Sequence, residues 1–237
     1  MNELFEVIHE DRDLLVVNKP AGLVCHPTKT DERSSLIGRV RLHLGNGEGR
    51  LVNRLDRETS GLVLIAKSAS VAGELGKLIE SNAVQKEYDA IVVGFIAPDE
   101  FTIDAALGKD ECSAVAIKDC VRPDGAAART KVRLLKRLTH ETREFSLLHV
   151  QPRSGRKHQI RIHLAHAGHP IVGDKLYGAD EQIYLRFVTG VLTESDRRQL
   201  ILSNHALHAT RLQFRWRNRD WTFCATPNEE FRSFAGA

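Results

Sequence analysis

Asn53-Arg-Leu-Asp-Arg-Glu-Thr-Ser-Gly61, running into the apolar stretch Leu62-Val-Leu-Ile-Ala66, decides how this chain is read. A polar turn closed by a glycine leads into a short, wholly apolar strand. The turn sets one carboxylate, Asp56, between Arg54 and Arg57. Neighbouring positive charge favours the ionised form of a carboxylate, so Asp56 is a candidate nucleophile or general base at the edge of a buried strand. Taken alone, the same residues describe an ordinary ion-paired turn. The segments on either side decide between the two.

Upstream, Leu14-Leu-Val-Val17 reads as a strand halted by Asn18-Lys-Pro20. A helix is expected over Ser34–Leu44, with Leu36, Ile37, Val40 and Leu44 on one face, and glycines 45, 47 and 49 form a flexible loop after it. Downstream, Ser70–Asn82 reads as a helix with Ser70 as its N-cap, and Tyr88–Val93 as a β-branched strand closed by Gly94. Thr130–Leu138 alternates, with Val132 and Leu134 set against Lys131 and Arg133, as in an antiparallel strand with one wet, basic face. Phe145–Val150 is a further strand, and His158–Ala167 a helix entered through Ser154-Gly155. Mixed strands and helices in this order predict an α+β fold around a largely antiparallel central sheet flanked by helices. The expected organisation is a single domain over 1–237, with no room before Asn18 for a further RNA-binding module.

Composition narrows the class. The chain has 237 residues, 42% hydrophobic and 27% charged, as in an ordinary soluble enzyme, and no stretch approaches the length of a membrane span. Its polar, acidic start does not have the pattern of a signal peptide, so none is expected. Cys25, Cys112, Cys120 and Cys224 lack metal-type spacing, which predicts reduced thiols and a cytoplasmic protein. The net charge is only +3, but it is unevenly spread. From Arg122 to Arg161 there are eleven Lys/Arg against three acids, and Arg211, Arg215, Arg217 and Arg219 form a second run without an acid. Such faces suit the phosphates of a structured nucleic acid, or are simply solvated.

The matches fall in a fixed order. Asn18-Lys-Pro-Ala-Gly-Leu-Val-Cys-His-Pro27, Arg54-Leu-Asp-Arg-Glu-Thr-Ser-Gly61, Lys86-Glu-Tyr-Asp-Ala-Ile-Val-Val-Gly94, Ser154-Gly-Arg-Lys-His-Gln-Ile-Arg-Ile-His-Leu164 and Gly168-His-Pro-Ile-Val-Gly-Asp174 follow one another, with Tyr177-Gly178 and Leu207-His-Ala-Thr-Arg-Leu-Gln-Phe214 after them. Together they resemble the motif series of the RluA-type pseudouridine synthases, from about Asn18 to Phe214. The resemblance implies a pseudouridine synthase fold whose sheet is divided by a catalytic cleft. The implied reaction breaks the N1–C1′ bond of a uridine, turns the uracil and rejoins it through C5, with no metal, nucleotide or redox cofactor. The implied partner is structured RNA, either tRNA or ribosomal RNA, met by a monomer.

Residue by residue, Asp56 corresponds to the family's catalytic aspartate. Its role stays open between attack at C1′, attack at C6 and removal of the 2′ proton. Arg161 corresponds to the arginine that pairs with that aspartate, and Tyr88 to the tyrosine that stacks on the target uracil. Arg54 corresponds to an arginine that fills the place of a flipped base, and Arg57, in the same turn, is expected with it as a substrate-binding residue. Arg153, Arg156 and Lys157 are the expected phosphate contacts. Two positions depart from the pattern: Asn53 stands where histidine is usual, and Ser154 replaces a threonine while keeping a hydroxyl able to cap the next helix.

Rival readings fare less well. His158, His163, His166 and His169 lack any H-E-x-x-H or deaminase zinc pattern, so no metal site is expected. Ser60 lacks the nucleophile elbow of a hydrolase. The alternative from another class is a non-catalytic RNA-binding or RNA-chaperone protein that retains the fold.

Overall fold

The computed structural model of the chain describes residues 5–27, 32–45 and 47–236. In chain order the elements begin with β1 (Glu6–Glu10), β2 (Leu14–Lys19), α1 (Leu36–Leu44), β3 (Arg50–Leu51), β4 (Ser60–Ala66) and α2 (Ala69–Glu80). They continue with β5 (Gln85–Val93), β6 (Glu100–Asp104), β7 (Leu107–Lys109), β8 (Asp119–Val121), β9 (Arg129–His140) and β10 (Arg143–Pro152). The remainder holds α3 (Gln159–His166), α4 (Gln182–Val188), α5 (Glu194–Leu200), β11 (Leu207–Trp216), β12 (Arg219–Cys224) and α6 (Glu229–Ala235). The chain forms two compact units: one runs up to Glu87 and includes His208–Asn228, the other comprises Tyr88–Leu207 and the chain from Glu229.

In the first unit β2 lies antiparallel between β1 and β4, β3 is antiparallel to β4, and β12 is antiparallel to β11. The start of β4 runs parallel to β11, with His208 opposite Ser60 and Ala209 opposite Gly61. The unbroken apolar runs of β2 and β4 follow from burial on both faces. On one face Leu14, Val16, Leu62 and Leu64 join Val71 and Leu75 of α2 and the aromatic residues of the β11–β12 hairpin. On the other, Leu15, Val17, Val63 and Ile65 are equally buried. Helix α1 buries Leu36, Ile37 and Val40, starts at an N-cap Ser35, and ends on left-handed Gly45. That glycine is therefore a helix cap and not part of a free loop; residue 46 of the glycine-rich stretch lies outside the described residues. Helix α2 starts earlier than expected. Ser68, in extended conformation, accepts the Val71 amide at 3.3 Å and caps it, while Ser70 sits inside the helix.

In the second unit β5 from Tyr88 onward pairs antiparallel with β10, β10 with β9, and β9 with β6, and β7 and β8 form a separate hairpin. A second core gathers Leu107, Val115, Ala128, Ile162, Leu176 and Tyr177. The mixed, largely antiparallel α+β reading thus holds in each unit. The expected alternation of β9 holds at its start, where Thr130 and Val132 are buried between the more exposed Arg129, Lys131 and Arg133. It breaks where the pairing with β10 shifts register: Leu134 is half-buried and Leu135, Lys136 and Arg137 are all exposed. Its positive stripe is partly neutralised, since β6 brings Asp104 to Arg129 and Glu100 to within 3.1 Å of Lys131. Two arginines of the second run are likewise ion-paired. Arg215 faces Asp220 at 3.4 Å, and Arg217 binds Glu74 at 2.8 Å and Asp13 at 2.9 Å. Among the described residues no helix is long and apolar enough to cross a membrane.

Candidate active site

The turn that carries Asp56 is fastened to its own unit at five of its nine residues. Asn53, buried, receives the Leu64 amide on Oδ1 at 2.7 Å and donates from Nδ2 to the Leu62 carbonyl at 3.2 Å, so it stitches the approach to the turn onto β4. Leu55 is bonded through both its amide and its carbonyl to the Cys25 thiol, at 3.4 and 3.3 Å. The Arg57 carbonyl accepts from the Gly22 amide at 2.9 Å, and the Arg57 Nε returns a bond to the Gly22 carbonyl at 3.2 Å. Ser60 Oγ lies 2.8 Å from His208 Nδ1, whose ring also bonds the Ala225 carbonyl. Gly61 (φ +112) lies so close to β11 that a Cβ would fall 2.4 Å from the Ala209 carbonyl oxygen. Asp56 is half-buried on this braced turn, and Arg54 and Arg57 are exposed.

A charged residue outside the expected set belongs here as well. Lys19, with no exposed surface, directs its ammonium at the carbonyls of Pro20, Leu23 and Arg57, at 2.9, 2.8 and 3.1 Å. Burial pushes its pKa down to about 8, opposed by the negative charge of Asp56. It therefore ties the end of β2 to the turn and adds positive charge beside Asp56. The Asn18-Lys19-Pro20 motif contained this residue. Only the fold reveals that three carbonyls, one of them 38 residues away, solvate its charge.

In the second unit Arg161 is a buried residue of α3, not a surface one. Asp174 grips it with two bonds, Nε to Oδ2 at 2.7 Å and Nη2 to Oδ1 at 2.9 Å. The Tyr177 ring lies 5.0 Å from the guanidinium. Asp174 Oδ1 also accepts the amides of Leu176 and Tyr177, at 2.9 and 3.0 Å. Burial works against the charge of Asp174, but the Arg161 guanidinium outweighs it and holds the carboxyl well below the usual range. The Tyr177 hydroxyl, pushed up by burial, bonds His158 Nδ1 at 2.9 Å and the Asp119 amide at 3.3 Å. Asp174 and Tyr177 stood in the motif series without an assigned role, and their part emerges only from the fold.

The start of α3 differs from the sequence expectation. His158 adopts a left-handed conformation with no side-chain cap, and Ser154 caps no helix amide. Instead Gln159 reaches back: its Oε1 accepts from Ser154 Oγ at 2.7 Å and the Arg156 amide at 3.2 Å, and its Nε2 donates to Arg129 O and Thr130 Oγ1, both at 3.0 Å. His163 bonds Thr130 Oγ1 at 2.8 Å and the Ala105 carbonyl at 2.9 Å, a core histidine kept neutral by burial. Arg153, Arg156 and Lys157 are exposed on this loop, with Lys157 2.8 Å from Asp119. Tyr88 is buried on β5 opposite Val150. A cavity of about 540 Å³ also opens in this unit beside Tyr177 and His166, but Lys118 occupies its acids Glu181 and Asp110, at 2.6 and 3.6 Å. Among the described residues no group of three or more acidic, histidine or cysteine side chains is arranged to hold a metal.

A family model described as RNA pseudouridylate synthase matches residues 13–166, and the chain belongs to that family. It is 34% identical over 179 residues to the ribosomal large subunit pseudouridine synthase D of Pseudomonas aeruginosa, covering 73% of this chain and 53% of that protein. It is 37% identical over 186 residues to the tRNA pseudouridine synthase C of Pectobacterium carotovorum, covering 74% and 48%. The chain thus spans about half the length of these curated relatives. Human RNA pseudouridylate synthase domain containing 1 superposes with a TM-score of 0.77 at 25% identity, over 98% of this chain and 86% of that one.

Proposed function

We propose that this chain isomerises uridine to pseudouridine in structured RNA, with Asp56 as the reacting carboxylate. One observation carries the assignment: a turn braced at Asn53, Leu55, Arg57, Ser60 and Gly61 presents a half-buried carboxylate beside the buried Lys19 ammonium. Such bracing holds a reacting group in one orientation, so that little reorganisation accompanies the chemical step. Each of its three candidate roles requires an ionised carboxylate, and positive charge nearby favours that form.

The overall change balances within the substrate. The N1–C1′ bond breaks, a C5–C1′ bond forms, C5 gives up its proton and N1 gains one. In this reading Tyr88 supplies the ring on which the uracil stacks, and Arg161 a guanidinium kept rigid by Asp174. Arg54, exposed beside Asp56, fills the space left by the extruded base. The exposed Arg153, Arg156 and Lys157 hold phosphates. The relatives named above support RNA of ribosomal or transfer type as the substrate class.

The test is tritium release from structured RNA carrying C5-tritiated uridine. The wild-type chain should release tritium and Asp56→Asn should not, while both bind the RNA with similar affinity. Binding without release by the wild-type chain would instead identify a non-catalytic RNA-binding protein.

A further inference from the structure

Cys25 sits where α1 and the Asp56 turn are joined. Its carbonyl accepts the amide of Ile37 in the first turn of α1 at 3.1 Å, and the preceding Val24 carbonyl accepts that of Leu36 at 2.8 Å. Its thiol meets one residue of the turn from both sides, donating to the Leu55 carbonyl at 3.3 Å and accepting the Leu55 amide at 3.4 Å. Both residues are buried, Cys25 at 6% exposure and Leu55 at 8%. The Leu55 amide belongs to the peptide plane shared with Arg54, and its carbonyl to the plane shared with Asp56. One side chain thereby restrains the two consecutive planes that precede the Asp56 Cα. Burial raises the thiol pKa, so the S–H donor is present at neutral pH.

Sulfur is a weak donor and a weak acceptor, so the pair adds little to global stability. Its effect is directional. A valine in its place fills similar space but leaves a buried amide and carbonyl unsatisfied, and the planes are then free to rotate in search of other partners. We propose that Cys25 is a positioning residue for the reaction: its thiol sets the direction in which the Asp56 carboxylate leaves the turn. This rests on the reading of Asp56 as the reacting carboxylate. It assigns Cys25 no contact with RNA and no covalent chemistry.

The experiment compares wild type, Cys25→Val, Cys25→Ser and Asp56→Asn by melting temperature, RNA affinity and single-turnover rate of pseudouridine formation under saturating enzyme. Misplacement of a reacting group by a fraction of an ångström is costly, so Cys25→Val should lose about ten-fold or more in single-turnover rate, with affinity within about two-fold of wild type. Serine, which keeps both polarities, should recover most of that loss. A lower rate unaccompanied by a change in affinity, and rescued by serine, would not arise from a residue that merely fills the core. Should the valine variant not fold, Cys25→Ala against Cys25→Ser carries the comparison, with serine faster if the thiol positions the turn. Equal rates for the apolar variant, serine and wild type, with Asp56→Asn inactive, overturn the role of Cys25 and leave Asp56 in place. An active Asp56→Asn overturns the catalytic assignment itself.

Discussion

Asp174 and Arg161 meet as a two-bond fork in the interior of the second unit, and Asp174 spends its remaining capacity on the backbone amides of Leu176 and Tyr177. The fork orients a guanidinium that would otherwise be one long side chain among many, and the Tyr177 ring adds a second constraint. A buried pair of this kind contributes little net stability when intact. Removing one partner is expensive, because the other charge is then stranded.

Replacing Asp174 by asparagine should destabilise the protein by about 3–5 kcal/mol, as expected for an interrupted buried pair. The pH dependence follows from the depressed pKa of Asp174. Its stabilising contribution is fully present above its unfolded pKa near 3.8 and is lost as pH falls toward its lower folded value. Denaturant unfolding of wild type and variant between pH 7 and pH 2 checks both points. The gap should be constant near neutrality and shrink in acid.

Arg161→Lys keeps the charge but cannot reproduce two parallel bonds to Asp174. Single-turnover pseudouridine formation should fall by about ten-fold or more, with Tyr177 left without its stacked partner. A rate near that of wild type would mean that orientation of this cation does not matter to the reaction.

Gly61→Ala should be among the most destabilising single changes in the first unit. A Cβ there would lie 2.4 Å from the Ala209 carbonyl oxygen and 2.5 Å from its nitrogen, on a backbone at φ +112. Steric overlap and strain together predict a loss of about 3 kcal/mol or more, read from the urea midpoint at unchanged m-value.

Asn53→Ala strands the Leu64 amide and the Leu62 carbonyl, both bonded to the Asn53 amide group. The expected cost is about 1–3 kcal/mol, seen as a lower melting temperature. The same change should also reduce turnover, because Asn53 anchors the strand that leads into the Asp56 turn. RNA affinity of the folded variant is the control, and it should remain unchanged.

Arg156→Gln should weaken binding to a substrate RNA and to an unrelated stem-loop in parallel. The slope of log K against log salt should become shallower by about 0.7–0.9, as for one lost phosphate contact. An unchanged slope with affinity lost only on the substrate would make Arg156 a reader of bases.

The sequence by itself determined whatever depends on near neighbours. The apolar run Leu62–Ala66 had to be a buried strand, Asp56 had to sit in a turn between two arginines, and the order of motifs carried the family. Caps were less legible. Ser68 and Ser70 are equally good N-caps by residue type, and packing of Val71 and Leu75 chose the register of α2. Ser154 was a plausible cap until Gln159 engaged its hydroxyl and the Arg156 amide. The two basic runs read as positive surfaces because Glu74, Asp13, Glu100 and Asp104 lie far from them in sequence. Only the tertiary structure decided that Lys19 would be solvated by carbonyls, that Asp174 would hold Arg161, and that Cys25 would grip Leu55. Each of these includes a short-range bond between residues separated along the chain, by 38 positions for Lys19 and Arg57, 13 for Arg161 and Asp174, and 30 for Cys25 and Leu55. Local pattern carries no information on such pairs, because hydrogen bonds and ion pairs act over a few ångströms, and only the fold decides which atoms come that close.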